Sequence, residues 1–583
     1  MNWRGKIGLW ATVGITAVFR FHALFANTFH ADEALFATWA RFIATWRDPL
    51  LLTQAVDKPP LLFYLQALFY LYPVLGPTEI AARLPNFIAS ILLVPLVGVW
   101  AWRLYGDEVT AVLAALLLAL SPFAIQFSAT AFTDPLLTFW LVAAFVAATK
   151  MAPHHRKTVQ EQVGTTQEQV GTTQEQVGTT QEQVGTTQEQ VGTTQEQVGT
   201  TQEQVGTVQE QVGTTQEQVG TTQEQVGTAQ EQVGTTQEQV GTTQEQVGTA
   251  PQAFLAAFCF SLAVAAKYQA WLFLPLLLGL GWLQGWRRRE WARFVLGLLP
   301  VLALLLAWDA ARGGGLALWS AQMGNYGGVR LIWSWELWPR LAAWLRMWRW
   351  LFVWPVWGVI VVVALLRPFL PSNWTRMNTD EHGLTRHYSQ FLALFIMAYF
   401  LLHWFLAVPV WDRYLLPLLP LVALLVARLL TQLVQSLSAL RTPHFALRLL
   451  ALLVLITLLI PAWGGRNGRY PIGGQPQADG GAAQIAALLD DAPYGTVLYD
   501  HWYSWQWGYH LFWRRVYVNW LPYPAVLTED LAVFGDDGSP RYLVLPLGQP
   551  ALPFRRAVAE AGFQLTPIPT AAPTTMQLYR IER

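Results

Sequence analysis

Apolar runs with few charges recur along the chain, at about 8–28, 80–102, 109–128, 135–150, 253–266, 269–285, 294–311, 350–366, 390–408, 414–430 and 444–462. Most come close to the roughly 20 residues a helix needs to cross the hydrocarbon of a bilayer. The pattern predicts an all-α polytopic membrane protein with eleven crossings, the close pair 253–266 and 269–285 reading equally as one broken element. From about Gly480 the periodicity changes. "GGAAQIAALLDDAPYGTVLYDH" reads as a helix and a strand, "RYLVLP" as a strand and "ALPFRRAVAEAGF" as a helix, which predicts a small α/β domain.

One segment follows neither pattern. From Thr158 to Gly248 the chain repeats TTQEQVG thirteen times with little variation. A heptad period invites a coiled coil, but that needs two apolar seam positions per unit, and most units offer one Val. Each unit also carries a Gly, which costs about 1 kcal/mol against Ala inside a helix. The repeat is expected to be a disordered insertion, and without His, Cys, Asp, Lys, Arg or an aromatic it is a poor place for chemistry. The expected organisation is an N-terminal membrane part (1–157), the repeat (158–248), a second membrane part (249–465) and the α/β domain (466–583).

Charge then orients the chain. The sequence has 37 basic and 37 acidic side chains, and 13 of the acidic ones are the Glu of the repeat, so the remainder is basic. Arg4, Lys6, Arg103, Lys150, Arg156, Lys157, Arg287, Arg288, Arg289, Arg293, Arg367, Arg376, Arg386, Arg428 and Arg441 all fall at one side of the predicted spans. That side is expected to be cytoplasmic, with the N-terminus and the repeat. The α/β domain then lies on the extracytoplasmic face of a plasma membrane. The loop from Arg312 to Trp350 breaks the bias with five Arg, and its Trp and Arg spacing suits an amphipathic helix lying in the interface. Many of the 30 Trp sit near span ends, as in an interfacial aromatic belt. A basic excess of this kind suits lipid head groups, and nothing points to nucleic acid. The single Cys259 excludes an intramolecular disulfide. The sequon at Asn373 falls on the cytoplasmic side and is not read as glycosylated.

On the outer side the polar residues cluster. The first outer loop holds His30, Asp32, Glu33, Asp57 and Lys58, and the turn after the third span holds Asp134. Charges near membrane depth are costly unless paired or facing water, so they mark a functional site. A carboxylate such as Asp32 is suited to take a proton from an attacking hydroxyl. Lys58, stiffened by Pro59 and Pro60, is suited to a phosphate leaving group. The plainer alternatives are that Asp32 and Asp134 only cap helices and that long basic chains snorkel to the interface. His30, Asp32, Glu33 and Asp57 are also ligand types for a divalent metal, with no compact motif to fix their geometry. In the α/β domain, "DHWYSWQWGYHLFWRR" offers rings for stacking on sugars or for packing the domain onto the membrane part.

Taken in order, "ADEALFATWARF", "VDKPPLLFYLQALF", "EIAARLPNFIAS", "FTDPLLTFWLVAA", "AAKYQAWLFLPLL" and "WDRYLLPLLPLVALL" resemble the bacterial branch of the protein O-mannosyltransferase and aminoarabinose transferase group. The resemblance spans roughly 8–150 and 253–430. It implies a GT-C fold and transfer of a sugar from a polyprenyl-phosphate donor to an acceptor hydroxyl, with inversion at the anomeric carbon. It implies Asp32 as catalytic base, or as the group that positions the acceptor, with Glu33 assisting. Lys58, Lys267 and Arg413 are implied at the donor phosphate, and Asp134 and Arg83 at the substrate. Where the aminoarabinose branch has Glu before that Lys, this chain has Asp57. The rival from another class is a transporter or flippase of lipid-linked substrates.

Overall fold

The protein is described by a computed structural model over residues 1–71, 75–149, 250–313, 330–370, 382–439, 444–570 and 574–583. The repeat, Lys150, Arg156, Lys157, Asn373, Arg376 and Arg441 lie outside the described residues. Residues 1–150 and 252–583 form one compact unit.

The N-terminal part runs α1 (Trp3–Ala26), α2 (Ala31–Ala44), α3 (Leu61–Tyr70), α4 (Glu79–Tyr105), α5 (Glu108–Leu120), α6 (Pro122–Ser128) and α7 (Thr133–Ala148). The second membrane part runs α8 (Ala250–Ala266), α9 (Leu274–Leu283), α10 (Arg288–Ala311), α11 (Leu337–Trp348), α12 (Pro355–Leu366), α13 (His382–Phe405), α14 (Leu419–Ala439) and α15 (His444–Arg466). Among the described residues five helices are long and apolar enough to cross a membrane: α1, α4, α10, Thr385–Phe405 and Asp412–Ser438. Two bent helix pairs raise this to seven. The chain is a multi-pass membrane protein, but length and composition do not yield the eleven expected crossings.

The difference lies in breaks that the apolar pattern conceals. The run read as 109–128 bends by 61° between α5 and α6. Pro122 cannot donate to the preceding turn, and Ser121 adopts an extended backbone whose hydroxyl donates to the Leu351 carbonyl (2.7 Å). Lys267 likewise sits in extended backbone between α8 and the 3₁₀ turn Tyr268–Phe273, which separates α8 from α9. A third break is a 101° bend between Ser334–Leu351 and Pro355–Phe369. It turns α11 across the line of the next helix. There Arg340 donates to the carbonyls of His403 (3.0 Å) and Val408 (2.8 Å), closing the open end of α13.

The C-terminal domain contains α16 (Ala482–Leu488), β1 (Thr496–Asp500), α17 (Ser504–His510), β2 (Val516–Trp520), α18 (Pro524–Phe534), β3 (Arg541–Pro546), α19 (Leu552–Glu560), β4 (Gln564–Ile568) and β5 (Met576–Glu582). Its sheet has the order β2-β1-β3-β5-β4, with β1 parallel to β2 and β3, and β5 antiparallel to β3 and β4. Successive residues of a strand point to opposite faces, so Leu543 and Leu545 enter one core and Val544 the other. The α/β expectation holds. The weakly alternating β2, β4 and β5 were not legible.

Among the contacts that tie this domain to the membrane part, two are extensive. Arg41 of α2 lies 3.5 Å above the Tyr509 ring and donates to the carbonyls of Tyr509 and Pro77. The Tyr509 hydroxyl also donates to Pro77 (3.0 Å). Of the aromatic segment, Tyr509 and Phe512 therefore pack against α2, while Trp507 fills the domain core. The second contact is the linker Tyr470–Gln475, which the buried Gln126 of α6 grips through the carbonyls of Tyr470 (2.9 Å) and Ile472 (2.7 Å).

Candidate active site

The site grows from the start of α2. His30 is the N-cap. Its Nδ1 accepts the Asp32 N–H (3.3 Å), and its own N–H donates to Glu33 Oε2 (3.0 Å), a reciprocal capping box. Glu33 is fully buried, and its Oε1 accepts the Ala131 N–H (2.6 Å) from the second loop. Thus one carboxylate fixes the first helical turn and joins both loops.

Asp32, one position earlier, faces another way. Its side chain is a third exposed, and Oδ2 accepts from Arg413 Nη1 (2.6 Å). Among the described residues nothing donates to Oδ1. Burial pushes the Asp32 carboxyl up, but the charge and hydrogen bond of Arg413, with His30 and Lys58, outweigh it and hold it below the ordinary carboxylate value. The group is ionised at neutral pH.

Two further cations join this pair. Lys58 is nearly buried and bonded to Asp57. Lys267, in its helix break, donates to Asp134 Oδ1 (2.6 Å), with its ammonium 5.1 Å from the Tyr414 ring centroid. Lys58 is within electrostatic reach of both Asp32 and Lys267, and Asp134 within reach of Arg413. The expected set of Asp32, Lys58, Asp134, Lys267 and Arg413 therefore converges from four separate parts of the chain. Asp134 is not the cap of α7, since Phe132 holds that position, and Lys267 is buried in an ion pair instead of snorkelling.

Arg83 stands elsewhere than a substrate contact requires. It is 1% exposed and stacks on Phe29 (4.7 Å). Its guanidinium donates to the Asn27 carbonyl (2.8 Å) and to Glu79 (3.1 Å), with Glu33 at 3.8 Å. It supports the loop from beneath. The metal-ligand candidates do not assemble either. His30 Nδ1 is occupied by the Asp32 N–H, Asp57 is paired with Lys58, and among the described residues no three His, Cys, Asp or Glu side chains gather as a metal set.

Three residues at the site went unread in the sequence. Asn86 donates to the carbonyls of Thr130 (2.8 Å) and Phe132 (2.6 Å), fixing the second loop. Asp412 accepts the N–H groups of Arg413 and Gly473, both at 2.8 Å, joining the cation to the linker. Gln126 holds the other end of that linker. Their signal was a polar residue inside an apolar run, which needs a partner when buried.

The family model of dolichyl-phosphate-mannose-protein mannosyltransferases matches residues 53–165, a stretch holding Asp57, Lys58, Arg83 and Asp134. The crystal structure of ArnT from Cupriavidus metallidurans bound to undecaprenyl phosphate superposes with a TM-score of 0.52 at 11% identity, covering 99% of this chain and 98% of that one. The fold is that of the GT-C glycosyltransferases. The apo form of ArnT from the same organism gives a TM-score of 0.51 at 11% identity, covering 98% and 97%. No curated protein matches the chain by sequence. The GT-C likeness extends over the α/β domain as well as the membrane part, since nearly the whole of both chains is covered.

Proposed function

We propose that the protein is a membrane glycosyltransferase that moves a sugar, a hexosyl or pentosyl group, from a polyprenyl-phosphate donor to an acceptor hydroxyl on the side of the α/β domain. The observation that carries this reading is one carboxylate oxygen, Asp32 Oδ1, left open beside three cations that are each paired with a carboxylate. The mannosyltransferase family match supports it, as does the fold shared with a protein crystallised with undecaprenyl phosphate.

The donor phosphate meets Lys58, Lys267 and Arg413. Guanidinium and ammonium groups held in place stabilise charge as it develops on a leaving phosphate. The acceptor oxygen attacks the anomeric carbon, its proton passes to Asp32, and the bond from that carbon to the phosphate oxygen breaks. Polyprenyl phosphate leaves with the electron pair. Asp32 is a weak base while Arg413 neutralises it. A phosphate that draws on Arg413 raises the basicity of Asp32 when the donor is bound. Glu33 and Arg83 are positioning residues on this reading, since both Glu33 oxygens accept backbone N–H groups and the buried Arg83 donates through Nη1 and Nη2 to Asn27 and Glu79. The N-terminus and repeat lie on the cytoplasmic side and the α/β domain opposite.

The test is turnover of radiolabelled polyprenyl-phosphate sugars by purified wild type and Asp32→Asn. Release or transfer of sugar by the wild type, with loss in the variant, is expected. Equal turnover by the two overturns the role of Asp32, and movement of intact donor across a bilayer without sugar release overturns the transferase reading.

A further inference from the structure

A second charged site lies on the outside of the bundle. A groove of about 640 Å³ runs between α1 and the end of α15, a size within the range of ligand pockets. Val18, Phe21 and Phe25 line it and are each more than half exposed on a helix long and apolar enough to cross the membrane. Two polar side chains also line it, His22 and Arg466.

Arg466 is the last residue of α15, where the chain leaves for the linker and the α/β domain. Its guanidinium lies 4.6 Å from the Trp463 ring centroid, and among the described residues it has neither a hydrogen-bond acceptor nor a carboxylate partner. Its Nε is shielded from solvent without a partner. His22 Nδ1 approaches the Arg466 carbonyl (3.3 Å), which brings the imidazole to the same end of the groove. The contrast with Arg20, two residues before, is instructive. Arg20 turns inward and donates to the carbonyls of Ser90 and Leu118. An unpaired cation at the membrane boundary is costly unless an anion or water meets it.

We infer that this groove binds a glycerophospholipid with an anionic head group, in the leaflet on the side of the α/β domain. The phosphate takes the Arg466 guanidinium and the His22 imidazole, and an acyl chain lies along Val18, Phe21 and Phe25. Guanidinium-to-phosphate hydrogen bonds are charge-assisted and two-pronged, so the head group fixes the lipid more firmly than the chain alone does. The site is separate from the converging cations at Asp32, and the inference stands apart from the transfer reaction.

The test is native mass spectrometry and lipid titration of the full chain in nanodiscs, using phosphatidylglycerol, phosphatidylcholine and undecaprenyl phosphate as probes. One tightly retained phosphatidylglycerol is expected, weakened about tenfold or more in Arg466→Gln, in line with the loss of charge-assisted bonds. Arg466→Lys is expected to keep part of the affinity, and both variants to remain monodisperse. A Phe21→Ala and Phe25→Ala double variant is expected to shed the lipid while leaving Arg466 in place. Equal retention by wild type and Arg466→Gln, equal binding of phosphatidylcholine, or binding of undecaprenyl phosphate alone overturns the assignment.

Discussion

Asp32 and Glu33 are neighbours with the same chemistry and opposite circumstances. Glu33 has both oxygens occupied by backbone N–H groups and is fully buried, while Asp32 keeps Oδ1 open. Removing a general base costs typically 10² to 10⁴-fold in rate. Asp32→Asn is therefore expected to lower donor turnover by about that factor with little change in melting temperature. Glu33→Gln is expected to lower the melting temperature as well, because one oxygen becomes an amide that cannot accept. Paired turnover and thermal-melt measurements separate the two. The Lys267–Asp134 pair makes a different point. Removing one partner of a buried ion pair costs about 3–5 kcal/mol, whereas an apolar replacement of both is often neutral. Asp134→Leu alone is expected to destabilise strongly, and Asp134→Leu with Lys267→Met to recover stability without recovering activity.

At the scale of elements, the site depends on interrupted helices. Lys267 and Arg413 enter because α8 stops at Lys267 and because the 3₁₀ turn Asp412–Leu418 precedes α14. α6 is short and bent away from α5, and its Gln126 fastens the linker. Leaving buried carbonyls unpaired costs about 1–3 kcal/mol. Gln126→Leu is expected to loosen Tyr470–Gln475, raising hydrogen exchange there, and to reduce turnover through Asp412 and Arg413. Unchanged exchange in that segment contradicts this. The apolar pattern concealed these breaks, and their angles follow from what each half-helix packs against.

For the whole molecule, the contact between the α/β domain and the start of α4 carries a titratable group. His510 lies 3.9 Å from Glu79. Burial pushes its imidazole down to about 4, although Asp479 acts in the other direction. The folded state then favours the neutral ring. This contribution is fully present above the ordinary histidine value near 6.5 and is lost as pH falls toward 4. Burial pushes the neighbouring Glu79 carboxyl up to about 7, which acts with the opposite sign as pH falls. Between pH 6.5 and 4 the melting temperature of the wild type is therefore expected to fall relative to that of His510→Gln. A parallel profile for the two proteins contradicts it. Deleting 158–248 is expected to leave turnover within about twofold, since the repeat holds no His, Cys, Asp, Lys, Arg or aromatic side chain for the reaction to use.

By itself the sequence determined the membrane class, the α/β tail and the identity of the charged residues. These depend on composition and local periodicity, which a single segment carries. The tertiary structure decided which of those charges meet and which keep an open atom. Asp32 and Arg413 are paired across 381 positions, and Lys267 and Asp134 across 133. It also withdrew Arg83 and Glu33 beneath the site, because whether a polar atom is open depends on neighbours brought from elsewhere in the chain, and no local pattern encodes them.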